Sequence, residues 1–182
     1  MLALQLKAAQ RCASLIGDFK QLSADKIAEQ QSAFVAADIQ LRLECPDSVI
    51  CDSYPETLTK IIGHLLQNVV THAFPATFRD NRQLEISVEC NGDQLLLSCR
   101  DNGIGLSPTS LTRVFHPFFT LDMTKGAGIG QPLCKRLALS VLGSDLEVSA
   151  SAGAGCCFVL SMPMVAPGFR SVPAELAHSS KC

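Results

Sequence analysis

Apolar residues recur at three- and four-residue steps from the first residues of the chain: Leu2, Leu6, Ala9, Ala13, Ile16, Phe19 and Leu22. That spacing predicts one amphipathic helix over residues 2 to about 30, with Gly17 as its single internal glycine. A helix of this kind at the edge of a domain needs a partner surface for its apolar stripe. The period then shortens. ADIQLRLEC alternates in polarity and SVICDSY is a short apolar run, so both are predicted as strands. YPETLTKIIGHLLQNVVTHAF returns to the helical period, with Pro55 in its first turn, where a missing N–H does no harm. Its stripe is Leu58, Ile61, Ile62, Leu65, Leu66, Val69 and Val70. After the polar break PATFRDN, QLEISVEC and QLLLSCRD flank the turn signal NGD. This predicts a hairpin in which Asn91-Gly92 supplies the positive φ angles of a tight turn.

SPTSLTRVF reads as a short helix followed by a loop through Lys125, and PLCKRLALSVL as a helix stopped by Gly143. DLEVSA and CCFVLSMPM form a second predicted hairpin, joined by SAGAG. From Met164 onward Pro, Gly, Ser and Ala dominate, which predicts a disordered tail. The order of elements predicts an α+β fold, a two-layer α/β sandwich with a mixed, mostly antiparallel sheet and helices on one face. The expected organisation is a helix over 1–33, a domain over 34–164 and a tail over 165–182.

Composition narrows this picture. The chain has 182 residues, enough for one domain with a real core. Apolar residues make up 47% and aromatics only 5%, without Trp, so that core is aliphatic. A net charge of −2 argues against nucleic-acid binding by bulk charge. No apolar run reaches the roughly 18 residues of a membrane span, and no basic-apolar leader opens the chain. Membrane contact by this segment is therefore not expected. The nine cysteines form no C-x-x-C pair and no Cys/His ligand spacing, and most sit in apolar runs. There Cys acts as a small hydrophobe, which points to a reduced, cytoplasmic setting, including the cytoplasmic part of a membrane-bound sensor.

The chemistry concentrates in glycine-rich segments. KGAGIGQP (125–132) places glycines at alternate positions ahead of a helix. A dinucleotide-binding fingerprint needs G-x-G-x-x-G straight after a strand, and a Walker A loop ends in G-K-[ST]; this segment is neither. DNGIGL (101–106) follows an apolar strand directly. Its Asp at a strand end can accept a hydrogen bond from a buried exocyclic amino group, while its glycines let a flat ring approach the backbone. In the preceding helix Asn68 stands one turn from both His64 and His72. Its amide oxygen is a reasonable hard ligand for a Mg²⁺ that already carries phosphates and water.

An Asn-bearing helix, D-x-G-x-G, the Phe-rich VFHPFFT and then G-x-G-x-G is an order that resembles the GHKL (Bergerat-fold) ATPases. More narrowly, roughly residues 36 to 163 are similar to the catalytic and ATP-binding domain of a two-component sensor histidine kinase. The resemblance implies ATP and Mg²⁺ as cofactors. It implies that Asn68 coordinates Mg²⁺, that His72 sits beside the phosphates or ribose, and that Asp101 takes the adenine amino group, with Gly103 and Gly105 shaping the pocket. Phe115, Phe118 and Phe119 would anchor the base of an ATP lid. Gly126, Gly128 and Gly130 would present N–H groups to the phosphates, with Lys125 as a further phosphate contact. The implied reaction is γ-phosphoryl transfer to a histidine on a dimerisation domain of a homodimer, for relay to a response regulator receiver domain.

Two positions depart from the family's pattern. The first position of the Asn motif, usually Asn or Glu, is His64, placed with Asn68 among the catalytic candidates. Its imidazole can accept a hydrogen bond from water but is a poorer Mg²⁺ ligand than a carboxylate. Position 71, often Lys, is Thr, which removes a cation from the phosphate region. Nucleotide binding is thus expected to survive better than turnover. None of His64, His72, His116 or His178 lies in a phosphoacceptor-type H-[DE]-x-x-x-P context. The chain is therefore expected to be a piece of a longer protein or to act on a partner in trans. Two alternatives stay open: a weakened nucleotide sensor that binds a guanine nucleotide, cyclic or linear, since a carboxylate can pair with N1–H and N2–H of guanine, and a stand-alone serine kinase of the anti-sigma type.

Overall fold

The computed structural model describes residues 19–46, 49, 51–78 and 81–168. It opens with α1 (Phe19–Glu29) and α2 (Gln31–Ala36). The single helix expected from the sequence ends at Glu29; its part before residue 19 lies outside the described residues. At the break, the side-chain amide of Gln30 donates to the carbonyl of Gly63 at 3.3 Å, which ties the corner to the next helix. α2 buries Phe34, and the chain turns at Asp38, which takes a left-handed φ of 52°. Asp tolerates that conformation because its short polar side chain bonds locally.

Five strands make one sheet: β1 (Ile39–Glu44), β2 (Arg82–Asn91), β3 (Gln94–Asp101), β4 (Asp145–Ala150) and β5 (Cys156–Pro163), in the order β1-β2-β3-β5-β4. β1 and β2 are parallel and all other neighbours antiparallel, so the sheet is mixed and mostly antiparallel as expected. Side chains alternate across it. Leu84, Ile86, Val88, Leu95, Leu97, Cys99, Phe158, Leu160 and Met162 are buried on one face. Glu85, Ser87, Ser98 and Arg100 lie on the other, where the Ser87 and Ser98 hydroxyls hydrogen-bond at 2.8 Å across β2 and β3.

Two helices cover the apolar face. α3 (Pro55–Asn68) begins with Pro55 and buries Leu58, Ile61, Ile62, Leu65 and Leu66. It widens at its end into a π turn, Val69–Ala73. α4 (Pro108–Leu111) is a single turn capped by Ser107 Oγ, which accepts from Ser110 N–H at 3.1 Å. α5 (Gly130–Leu137) also widens into a π turn, Ala138–Leu142, and stops at Gly143 in the left-handed region, as the sequence predicts.

Two local expectations are corrected. The described residues of SVICDSY form no sheet strand. Among them the pairing is a bridge from Asp52 to Val165, with Asp52 N–H bonded to Met164 O and Ala166 N–H to Asp52 O. The place beside β2 is taken by β1, so Asp52 satisfies its backbone on Met164 and Ala166 while Val49 and Cys51 plug the core. In the first hairpin only Gly92 has positive φ (61°), because Asn91 still pairs with Gln94. Glycine at the first of two central positions is the type II′ arrangement. Residues 165–168, assigned to the tail, run along the domain: Ala166 is buried and Tyr54 Oη donates to Pro167 O at 3.1 Å. The remaining tail lies outside the described residues.

Candidate functional site

β3 delivers Asp101 to the buried face as the last of its alternating inward residues, and only 4% of it is exposed. Its Oδ1 accepts from Gly103 N–H at 2.9 Å and Cys156 N–H at 3.4 Å. Burial pushes the carboxyl above its ordinary pKa, and these backbone bonds oppose that shift. The following loop is drawn inward by Ile104 N–H, which donates to Ala73 O at 3.0 Å at the end of the α3 π turn. Gly103 passes that carbonyl so closely that a Cβ would lie 2.3 Å from it. Gly105 is left-handed (φ 64°), and a Cβ there would meet Ser151 O at 1.9 Å. No other residue type fits this loop without moving backbone.

The polar flank of α3 and its π turn presents His64, Asn68, Thr71 and His72, each half-buried. Thr71 Oγ1 accepts from Gln67 Nε2 at 2.8 Å. Burial lowers the pKa of His72, the charge of Lys125 lowers it further, and Asp122 opposes. Lys125 is exposed and faces Asp122 at 3.9 Å.

The Phe-rich segment folds back on the glycine loop. Phe115 packs edge-on against Phe158 with ring centres 6.5 Å apart, and Arg113 lies 4.8 Å over the Phe119 ring. Phe118 does not anchor the loop through its ring, as the resemblance implied. Its backbone is left-handed (φ 64°), which leaves the side chain 75% exposed, and its N–H donates to Gly128 O at 3.0 Å. Gly130 starts α5 beside α3, where a Cβ would stand 3.4 Å from His64 Nδ1.

These elements enclose one cavity of about 320 Å³. His64, Asn68, His72, Asp101, Gly105, Lys125, Gly126, Gly128 and Gly130 all line it. Gly103, also expected at the site, holds Asp101 from outside the lining. Sequence reasoning missed the apolar walls, Ile104, Leu106, Val114, Cys156 and Phe158, and missed Gln131. Cys156 and Phe158 share the face of β5 that adjoins Asp101, a fact that needs the β3–β5 pairing rather than the local pattern.

Residues 53–166 match the family described as histidine kinase-, DNA gyrase B-, and HSP90-like ATPase. The chain belongs to that family. It is 31% identical over 134 residues to the sensor histidine kinase RcsC of Salmonella typhimurium, covering 69% of this chain and 13% of that protein. It is 32% identical over 142 residues to the C4-dicarboxylate transport sensor protein DctB of Pseudomonas aeruginosa, covering 77% of this chain and 23% of that one. The chain thus spans 13% to 23% of the length of these relatives. Among solved structures, the nucleotide-free catalytic domain of histidine kinase ThkA superposes with a TM-score of 0.70 at 18% identity, covering 82% of this chain and 96% of that chain. Full-length ShkA in complex with AMPPNP superposes with a TM-score of 0.67 at 20% identity, covering 80% and 30%. These likenesses establish the fold: the chain folds as the catalytic domains of these histidine kinases do.

The ATPase-domain cavity fits a nucleotide that brings its own cation. Among the described residues no group of three or more His, Cys, Asp and Glu side chains could hold a metal by itself. Amide oxygens are present instead: Asn68 lines the cavity, and Gln131 Oε1 is buried without a hydrogen-bond partner. Hard divalent cations accept such oxygens alongside phosphate and water. No described helix is long and apolar enough to cross a membrane.

Proposed function

We propose that this ATPase domain binds Mg·ATP in the cavity and transfers the γ-phosphoryl group to a histidine on a separate dimerisation domain. The product would relay to a response regulator receiver domain, within a homodimeric protein acting in the cytoplasm. The observation that carries this reading is a carboxylate 4% exposed, Asp101, in the same cavity as Asn68 and the glycine loop. Its volume of about 320 Å³ is within the range of small-molecule sites.

Asp101 would accept from the exocyclic amino group of adenine, between walls formed by Ile104, Leu106 and Phe158. Gly126, Gly128 and Gly130 would offer N–H groups, and the N-terminus of α5 its positive end, to the phosphates. Asn68 and His72 would face the same phosphates from α3. A bound Mg²⁺ would supply charge neutralisation between the phosphate oxygens. An imidazole acceptor needs no strong base, so positioning and charge carry the reaction and His64 need not abstract a proton. Ile129 (54% exposed), which lines the cavity, and Leu133 (42%), one turn further on in α5, would offer apolar contacts to a docking acceptor helix.

Calorimetry tests the site: Asn68→Ala and Asp101→Ala should each weaken Mg·ATP by about tenfold or more. Unchanged affinity in both variants would refute the assignment. Transfer is tested with radiolabelled ATP and a histidine-bearing dimerisation domain, where acid-labile label is expected. A second reading, a nucleotide sensor with weakened turnover, is favoured by His64 and by Thr71, whose hydroxyl is tied to Gln67. Competition by guanine nucleotides at least as strong as by ATP would select it.

A further inference from the structure

Gln131 lies in the first turn of α5 and lines the cavity, yet its Oε1 is buried and accepts no hydrogen bond. A buried amide oxygen without a donor is costly, and such groups in native proteins call for a partner. No described side chain supplies one. The facing helix α3 brings two further side-chain amides to the same cavity, Asn68 and a Gln67 whose Nε2 is taken by Thr71. The two helices meet closely there, as the 3.4 Å approach of His64 Nδ1 to a Cβ at Gly130 shows. Lys125, the cation of the cavity rim, faces Asp122.

We infer that Gln131 supplies a second neutral oxygen, with Asn68, to the hydrated divalent cation that enters with a nucleotide. The inference rests on the nucleotide reading above. Hard divalent cations take oxygen donors and keep several waters, so Oε1 would either ligate directly or accept from a metal-bound water. Neutral amide oxygens suit a site whose negative charge arrives on the phosphates, because they coordinate the cation without repelling its ligand. An amide that turned its NH₂ toward the nucleotide would instead donate to a phosphate.

The test is the Mg²⁺ dependence of ATP affinity, measured by calorimetry with Mg²⁺ and with EDTA, for the unaltered protein, Gln131→Leu and Gln131→Glu. Thermal melts without ligand check folding. Gln131→Leu should lose about tenfold of the tightening that Mg²⁺ confers and keep its affinity in EDTA. Gln131→Glu, which retains the oxygens, should keep the tightening. Full tightening in the Leu variant overturns the inference and leaves the nucleotide reading standing. So does equal weakening of the Leu variant with and without Mg²⁺, which leaves the tightening intact and is the signature of an amide that donates to phosphate. Absence of ATP binding by the unaltered protein overturns both.

Discussion

Alanine at Gly128 should disorder the glycine loop, whereas alanine two residues earlier at Gly126 should not. Gly128 has φ 65°, and a Cβ there would sit 2.4 Å from Phe119 O, against the 3.4 Å at which ordinary contact begins. The obstacle is backbone, so no side chain can swing away. Left-handed backbone costs a residue with a Cβ about 1–2 kcal/mol. Moving the Phe119 carbonyl also strains the hydrogen bond from Phe118 N–H to Gly128 O, worth about 0.5–1.5 kcal/mol. Together these give about 1.5–3.5 kcal/mol, or about 12- to 370-fold in the local order of the loop. At Gly126 a Cβ meets nothing within 4 Å and the backbone is not left-handed, so the effect stays within about 0.5 kcal/mol. Because the loop can open without unfolding the sheet, the assay is amide hydrogen exchange over residues 116–130, with Mg·ATP affinity beside it. Gly128→Ala should lose protection and affinity, and Gly126→Ala should keep both. Equal behaviour of the two variants, or unchanged exchange in Gly128→Ala, would refute the reasoning.

Asp101→Asn should weaken ATP by about tenfold or more while stabilising the protein at neutral pH. Burial raises the folded-state pKa of Asp101, so its stabilising contribution is full below the ordinary value of 3.8 and is lost as pH rises through the folded value. Melts against pH should show that loss in the unaltered protein and not in the variant. His72 is held below its ordinary 6.5 by burial and then by Lys125, and phosphates beside it would raise it again. ATP binding should therefore take up protons, read by calorimetry in buffers of different ionisation enthalpy; no uptake would place the phosphates elsewhere. Phe158 is 2% exposed and serves both core and cavity wall, so Phe158→Ala should cost about 3–5 kcal/mol in denaturant unfolding. A cost below about 1 kcal/mol would show that the wall collapses to fill the space.

Much of the site was legible because its chemistry is carried by short segments. Asp101 announces itself as a polar residue ending an apolar alternation, followed at once by Gly103 and Gly105. Asn68 stands out as an amide set one turn from both His64 and His72 on a long helix. Gln131 carried no such signal. It looks like an ordinary polar residue in a helix, and only the closeness of α5 to α3 makes its buried oxygen unusual. Phe118 misled for the opposite reason: aromatic residues in a motif suggest anchoring, but a left-handed backbone turns this ring outward.

By itself the sequence determined the main helices, the two hairpins, the inward face of each sheet strand and the family, since periodicity, turn chemistry and glycine spacing act within a few residues. Only the tertiary structure decided which segments pair. It excluded 51–53 from the sheet, broke the first helix at Gln30, set Cys156 N–H against Asp101 and brought Gln131 to the cavity that Asn68 lines. These outcomes depend on competition between distant segments for the same backbone partners and the same buried volume, which no local pattern encodes.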